Sequence, residues 1–215
     1  MPWSLERLIL LLGGLWFVNL VNFMDGIDWM TAAEVIPLAA TFALLGAAHA
    51  LPSYGAFLAA ALGGAVVGFA YFNRPIARVF LGDVGSLPIG LLLGWLLVLL
   101  AANGHLAAAI LMPLYYLADA TVTLLRRLIR GEPVWQAHRT HFYQLATERG
   151  FSVREIVGYV FLLNLFLCAL AAATVFVPAA LIQTLALLVG SGAVAVLLFA
   201  FARGKSAARG GRKTA

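Results

Sequence analysis

Three groups of polar residues stand out in a chain that holds little else polar. The first is Asn19, Asn22, Asp25 and Asp28, with Gly26 between the carboxylates. Groups three apart share one helix face. Two amides and two carboxylates on such a stripe suit a polar ligand or a metal-bound diphosphate, with Gly26 relieving the backbone where the helix meets the loop. The same residue types are also ordinary helix caps and turns. The second group is Phe80-Leu81-Gly82-Asp83-Val84-Gly85-Ser86, preceded by Asn73, Arg74 and Arg78. Its glycines let backbone amides approach an anion, and Ser86 reads as the N-cap of the next helix. A carboxylate among phosphate-binding groups characteristically holds Mg2+. Phe80 is either a stacking surface for a base or an interface anchor. The third group runs from Asp119 through Arg126, Arg127 and Arg130 to His138, Arg139 and His141. Its arginines fit bidentate phosphate binding and equally the basic flank of a membrane span. Asp119 reads as an ion-pair partner of Arg126 or of a neighbouring helix. The histidines lack a third metal ligand, which favours proton transfer or phosphate binding over a metal site.

The elements that must position these groups are membrane helices. The chain has 215 residues, 63% of them hydrophobic and 11% charged. Apolar runs of about 18 or more residues read as spans, and 215 residues cannot wrap such a composition in polar surface. The expected fold is an all-α polytopic membrane protein with about seven spans, near 3–22, 31–50, 54–72, 87–103, 105–126, 155–177 and 180–202. This gives a helical domain over 1–202 and a basic, disordered tail over 203–215. Alternation places loops 23–30, 73–86 and 127–154, with the tail, on one side. Of the 14 Lys and Arg residues, all but Arg7 lie on that side, so it reads as cytoplasmic. The net charge of +5 is thereby a topology signal, and no nucleic-acid partner is expected. Cys168 reads as a packing residue. His49 and His105, at short turns of the other face, receive no role. A transporter would keep polar groups at mid-membrane, whereas here they gather at helix ends on one surface.

The motifs Asn19-x-x-Asn22-Phe-x-Asp25-Gly26-Ile-Asp28 and Phe80-Leu-Gly82-Asp83-Val-Gly85-Ser86-x-x-x-Gly90, with the looser stretch from Pro113 and Asp119 to His141, resemble the polyprenyl-phosphate N-acetylhexosamine-1-phosphate transferase family. That family includes the phospho-N-acetylmuramoyl-pentapeptide transferases and the initiating transferases of O-antigen synthesis. The loop His138-Arg-Thr-His141-Phe-Tyr-Gln leans toward the latter. The resemblance implies transfer of an N-acetylhexosamine-1-phosphate from a UDP-sugar to polyprenyl phosphate in a bacterial plasma membrane, with release of UMP. It implies Mg2+ (Mn2+ as the alternative) at Asp83. It further implies catalytic roles for His141 and Asp25, and nucleotide binding by Asn22, Asp28, Asn73 and Phe80. Phosphate binding falls to Arg126, Arg127 and Arg139. A homodimer is compatible with it.

Two departures accompany the resemblance. The family usually has Gly where this chain has Trp29. Family members also carry an acidic pair in earlier spans, and this chain has no Asp-Asp. With an outward N-terminus, that gives the expectation of a C-terminal portion of the family fold, with little activity alone. The alternative is a non-catalytic membrane module.

Overall fold

The structure is a computed structural model that describes residues 3–133, 136 and 138–205. Its regular elements are α1 Trp3–Met24, α2 Met30–Ala47, α3 Ser53–Phe72, α4 Gly82–Ala102, α5 Leu106–Leu111, α6 Leu114–Ile129, α7 Phe142–Glu148, α8 Val153–Phe176 and α9 Ala180–Arg203. Among the described residues, α1, α2, α3, α4, α8 and α9 are long and apolar enough to cross a membrane. In lipid each backbone N–H and C=O must be satisfied within the segment, so apolar runs of this length become helices. The all-α polytopic class expected from composition is the class observed.

The fifth expected span, 105–126, is not one helix. It breaks at Met112-Pro113 into α5 and α6. Proline lacks the N–H for the preceding turn, and its ring crowds the carbonyl four residues back. The chain resumes with Leu117 N–H donating to Pro113 O at 2.9 Å. The consequence is α6, whose buried face carries Tyr115, Tyr116, Asp119, Thr123 and Arg127, while Leu125, Leu128 and Ile129 are exposed. This amphipathicity is inverted, with polar groups inward and apolar groups outward. The fourth span also differs, because α4 begins at Gly82 and takes the second motif into its first turns.

Helix α2 is the centre of the bundle, with Met30, Val35, Leu38 and Phe42 fully buried. It packs on α3 and α8, while α1 packs on α4. A polar clamp joins α2 to α8: Asn164 Nδ2 donates to Glu34 Oε2 at 2.6 Å and to Ala33 O at 3.1 Å. The tail expected from residue 203 starts out ordered, since Arg203 closes α9 and Lys205 Nζ lies 2.6 Å from the Glu155 carboxylate. Residues 206–215 lie outside the described residues.

Gly90 sets the approach of α4 to α1. A Cβ there would stand 3.0 Å from Val18 Cα and 3.1 Å from Val18 O, so the two backbones touch. Gly90→Leu must push the helices apart, at a cost on the order of 1–3 kcal/mol. We expect a lower thermal midpoint in detergent for Gly90→Leu. Gly64→Leu, where a Cβ meets nothing within 4 Å, should leave the midpoint unchanged.

Candidate functional site

The first motif does not form one stripe. Helix α1 ends at Met24, so Asp25 and Asp28 leave the helix and the four groups diverge. Asn19 Nδ2 donates to Leu15 O of its own helix at 2.7 Å. Asn22 Oδ1 accepts from Ser86 Oγ at 2.6 Å. Asp25 Oδ1 accepts from Thr31 Oγ1, and Asp28 Oδ2 accepts from Ala77 N–H at 3.0 Å. Gly26 serves space rather than backbone freedom, because a Cβ there would stand 2.1 Å from Tyr143 Oη. The left-handed residue is Trp29, at φ 67°. That conformation is unfavourable for a bulky side chain and natural for glycine, which accounts for the glycine usual at this place in the family. Two hydrogen bonds hold Trp29 there. Its N–H donates to Asn73 Oδ1 and its Nε1 to Ala70 O, both at 2.7 Å.

The second motif packs against the first. Ser86 is not an N-cap. It is buried in α4, and its Oγ donates to Asn22 Oδ1 and contacts Gly82 O at 3.0 Å. A hydroxyl satisfied within the helix costs little in lipid, and here it also ties α4 to α1. Asn73 is buried and folds its loop, accepting from Trp29 and donating to Val79 O at 2.8 Å. Asp25, Gly26, Ile27, Asp28, Asn73, Phe80 and Leu81 line a small hollow of about 110 Å3. Phe80 stands at it 73% exposed, an aromatic face open to a planar ligand. Asp83 is exposed in the first turn of α4, two residues beyond Leu81.

The third motif is organised by Asp119, which does not pair with Arg126. Its carboxylate is fully buried and accepts from Phe142 N–H at 3.0 Å and Tyr143 N–H at 3.2 Å. His141 Nδ1 lies 3.3 Å from Asp119 Oδ1. A proton on Nδ1 donated to Asp119 leaves Nε2 as the reactive nitrogen of His141. Arg126 instead stands over the Phe142 ring at 5.1 Å. The Arg127 guanidinium is engaged by Glu132 at 3.0 Å, Pro133 O at 3.0 Å and Gln136 O at 3.2 Å. Both arginines line a separate hollow of about 170 Å3 with Arg130 and Arg149. Arg139 is exposed. His138 packs beside His141, with ring centroids 4.9 Å apart and the rings tilted by 31°.

Motifs one and three meet through Tyr143, whose Oη donates to Phe23 O at 3.0 Å. Burial and the neighbouring Asp119 push the Tyr143 phenol up, which keeps it a donor. Phe23 and His141 also pack, with ring centroids 6.4 Å apart. Thr31, Tyr143 and Ser86 in its bridging role were not identifiable by spacing; the only cue was that each is a hydroxyl beside a motif residue. Burial raises the Asp25 carboxyl to about 6, with the Thr31 hydrogen bond working against it. Among the described residues no three His, Cys, Asp or Glu side chains gather as a metal cage. Mg2+ keeps several waters and takes one or two carboxylates plus phosphate oxygens, so an exposed Asp83 beside the hollow has the right donor chemistry.

These observations define a class: a polytopic helical membrane protein whose polar motifs converge at one end of the bundle around an acidic hollow and a buried Asp–His contact. Residues 1–101 match glycosyl transferase family 4, the family that the motifs resemble. It is 32% identical over 171 residues to the phospho-N-acetylmuramoyl-pentapeptide-transferase of Desulforamulus reducens, covering 76% of this chain and 47% of that protein. It is 41% identical over 92 residues to the protein of the same name from Gluconobacter oxydans, covering 36% of this chain and 25% of that protein. The chain thus spans half or less of the length of these relatives. Neither is named as an O-antigen initiator, the subgroup toward which the histidine loop leans.

A carboxyl titrating near 6 leaves a signature in stability. Its ordinary value is about 4. Between these values the folded state holds a proton that the unfolded state has released, so stability falls as pH rises from about 4 to about 6 and is level above. The full effect is on the order of 3 kcal/mol. We expect Asp25→Asn to remove this part of the slope. The check is the difference between wild-type and Asp25→Asn thermal midpoints from pH 4 to pH 7; a difference independent of pH would contradict the shifted carboxyl.

Proposed function

We propose that the chain forms the nucleotide- and metal-facing part of a phosphosugar transferase of the bacterial cell envelope. It passes an N-acetylhexosamine-1-phosphate from a UDP-sugar to polyprenyl phosphate and releases UMP. The observation that carries the reading is the hollow of Asp25, Asp28, Asn73 and Phe80 at the end of membrane helices. It stands where a water-soluble donor and a lipid acceptor can meet. The basic residues gathered at that end support a cytoplasmic face. Phe80 offers its ring to uracil, and Asp28 and Asn73 shape the loop beneath it. Asn22 acts through Ser86 by fixing α1 against α4. Mg2+ would be held by Asp83 and would neutralise diphosphate charge, as phosphoryl transfer requires. Asp25, with its raised carboxyl, is suited to take a proton near neutral pH. His141, oriented by Asp119, offers Nε2 to the phosphates. Arg126 and Arg139 remain available to phosphate, whereas Arg127 acts by holding its own loop.

The relatives' name identifies phospho-N-acetylmuramoyl-pentapeptide as a group that such proteins transfer. Both that donor and UDP-N-acetylglucosamine therefore belong in the assay with polyprenyl phosphate. Nucleotide binding is the more direct test. The chain in detergent should bind UDP with an affinity that rises with Mg2+. An aromatic stack is worth about 1–3 kcal/mol, so Phe80→Ala should weaken UDP binding roughly 5- to 150-fold. Asp83→Asn should abolish the Mg2+ dependence while leaving metal-free binding intact. UDP binding unchanged by both substitutions, measured calorimetrically, would count against this assignment.

A further inference from the structure

A much larger cavity than the acidic hollow, about 700 Å3, lies between α2, α3 and α8, with Trp29 in its lining. Small side chains on all three helices create it: Ala32 and Ala33, Ala70, and Gly158. A Cβ on Gly158 would meet nothing within 4 Å. Along α8 the cavity runs from Arg154 to Phe161, a depth of about 10 Å at the helical rise. Its walls are apolar and its mouth is not. Arg74 and Arg154 stand there, both exposed, and neither pairs with a carboxylate among the described residues. Arg74 holds its guanidinium 4.7 Å over the Tyr71 ring. Trp29 and Tyr71 complete the mouth, the aromatic types that settle at membrane interfaces.

We infer that this cavity seats an anionic glycerophospholipid of the surrounding bilayer, its phosphate between Arg74 and Arg154 and the upper part of one acyl chain against Gly158 and Phe161. A hydrocarbon chain fills an apolar slot that opens toward lipid, and two unpaired guanidinia at the interface call for an anion. An apolar helix docking here would leave both charges uncompensated. The inference stands independently of the transfer reaction, because no residue that lines this cavity lines the acidic hollow.

The test is native mass spectrometry of the full chain released from detergent with phosphatidylglycerol or phosphatidylcholine of identical acyl chains. One phosphatidylglycerol should be retained in preference to phosphatidylcholine. Two arginines at the interface contribute about 1 kcal/mol each, so Arg74→Ala with Arg154→Ala should weaken its retention about 30-fold. Both residues are exposed, so the thermal midpoint should hold. Gly158→Leu fills the slot and should exclude both lipids. Equal retention of the two lipids, no retained lipid, or retention unchanged in the variants would overturn the inference. So would a lipid-free dimer built on this face. Displacement of phosphatidylglycerol by an equal concentration of polyprenyl phosphate would also overturn it, by giving the cavity to the acceptor.

Discussion

The Asp119 carboxylate is the constraint on which the polar end of this protein depends. It has no solvent contact, and a carboxylate removed from water must be matched by donors or it costs several kcal/mol. The donors come from two places. Tyr115 and Thr123 flank it one helical turn away on α6, at 3.2 and 3.4 Å. The backbone amides of Phe142 and Tyr143 come from α7. The need is mutual. A seven-residue helix is too short to persist alone, and its first amides have no partners within it. Asp119 supplies those partners and, through Nδ1, also fixes the His141 ring. Tyr143 then carries the arrangement to Phe23 and Gly26, so one buried carboxylate sets the position of the first motif as well as the third.

The bilayer imposes the complementary constraint. Polar groups beside membrane helices must turn inward, and α6 buries Asp119, Thr123 and Arg127 while leaving Leu125 and Leu128 exposed. The same rule accounts for the Glu34–Asn164 pair deeper in the bundle, which joins α2 and α8 where apolar packing alone would give no register. That pair is incompletely satisfied. Among the described residues, Glu34 Oε1, Asn164 Oδ1 and the nearby Tyr116 hydroxyl have no hydrogen-bond partner. Buried polar atoms of this kind are commonly served by water.

Much of this architecture was legible in the sequence because lipid restricts the choices so severely. Six of the seven expected spans are helices whose ends fall within about five residues of expectation. The break at Pro113 was not legible, since Pro37 and Pro88 lie inside α2 and α4 without ending them. The three motifs could be found by composition, but not their wiring. Periodicity placed Asn19 to Asp28 on one face only if α1 continued past Met24, and it does not. For Asp119 the sequence offers Arg126, two turns away, or a neighbouring helix, and it hides which, because the partner loop returns 22 residues later. The hydroxyl partners, Ser86 and Thr31, are satisfied by long-range or turn geometry that no spacing rule encodes.

Trp29 shows what such wiring does. A bulky residue in left-handed geometry is held by Asn73 on one side and Ala70 on the other, and the two bonds do different work. The first ties the start of α2 to the loop that carries Phe80, so the acidic hollow keeps its shape. The second lays the indole against the end of α3, where it becomes a wall of the apolar cavity. Glycine would satisfy the backbone at this position and make the Asn73 bond equally well. It could not make the indole bond or wall the cavity. The side chain therefore gives up local backbone comfort for contacts with α3, and a single residue both holds Asn73 of the acidic hollow through its N–H and lines the apolar cavity with its indole.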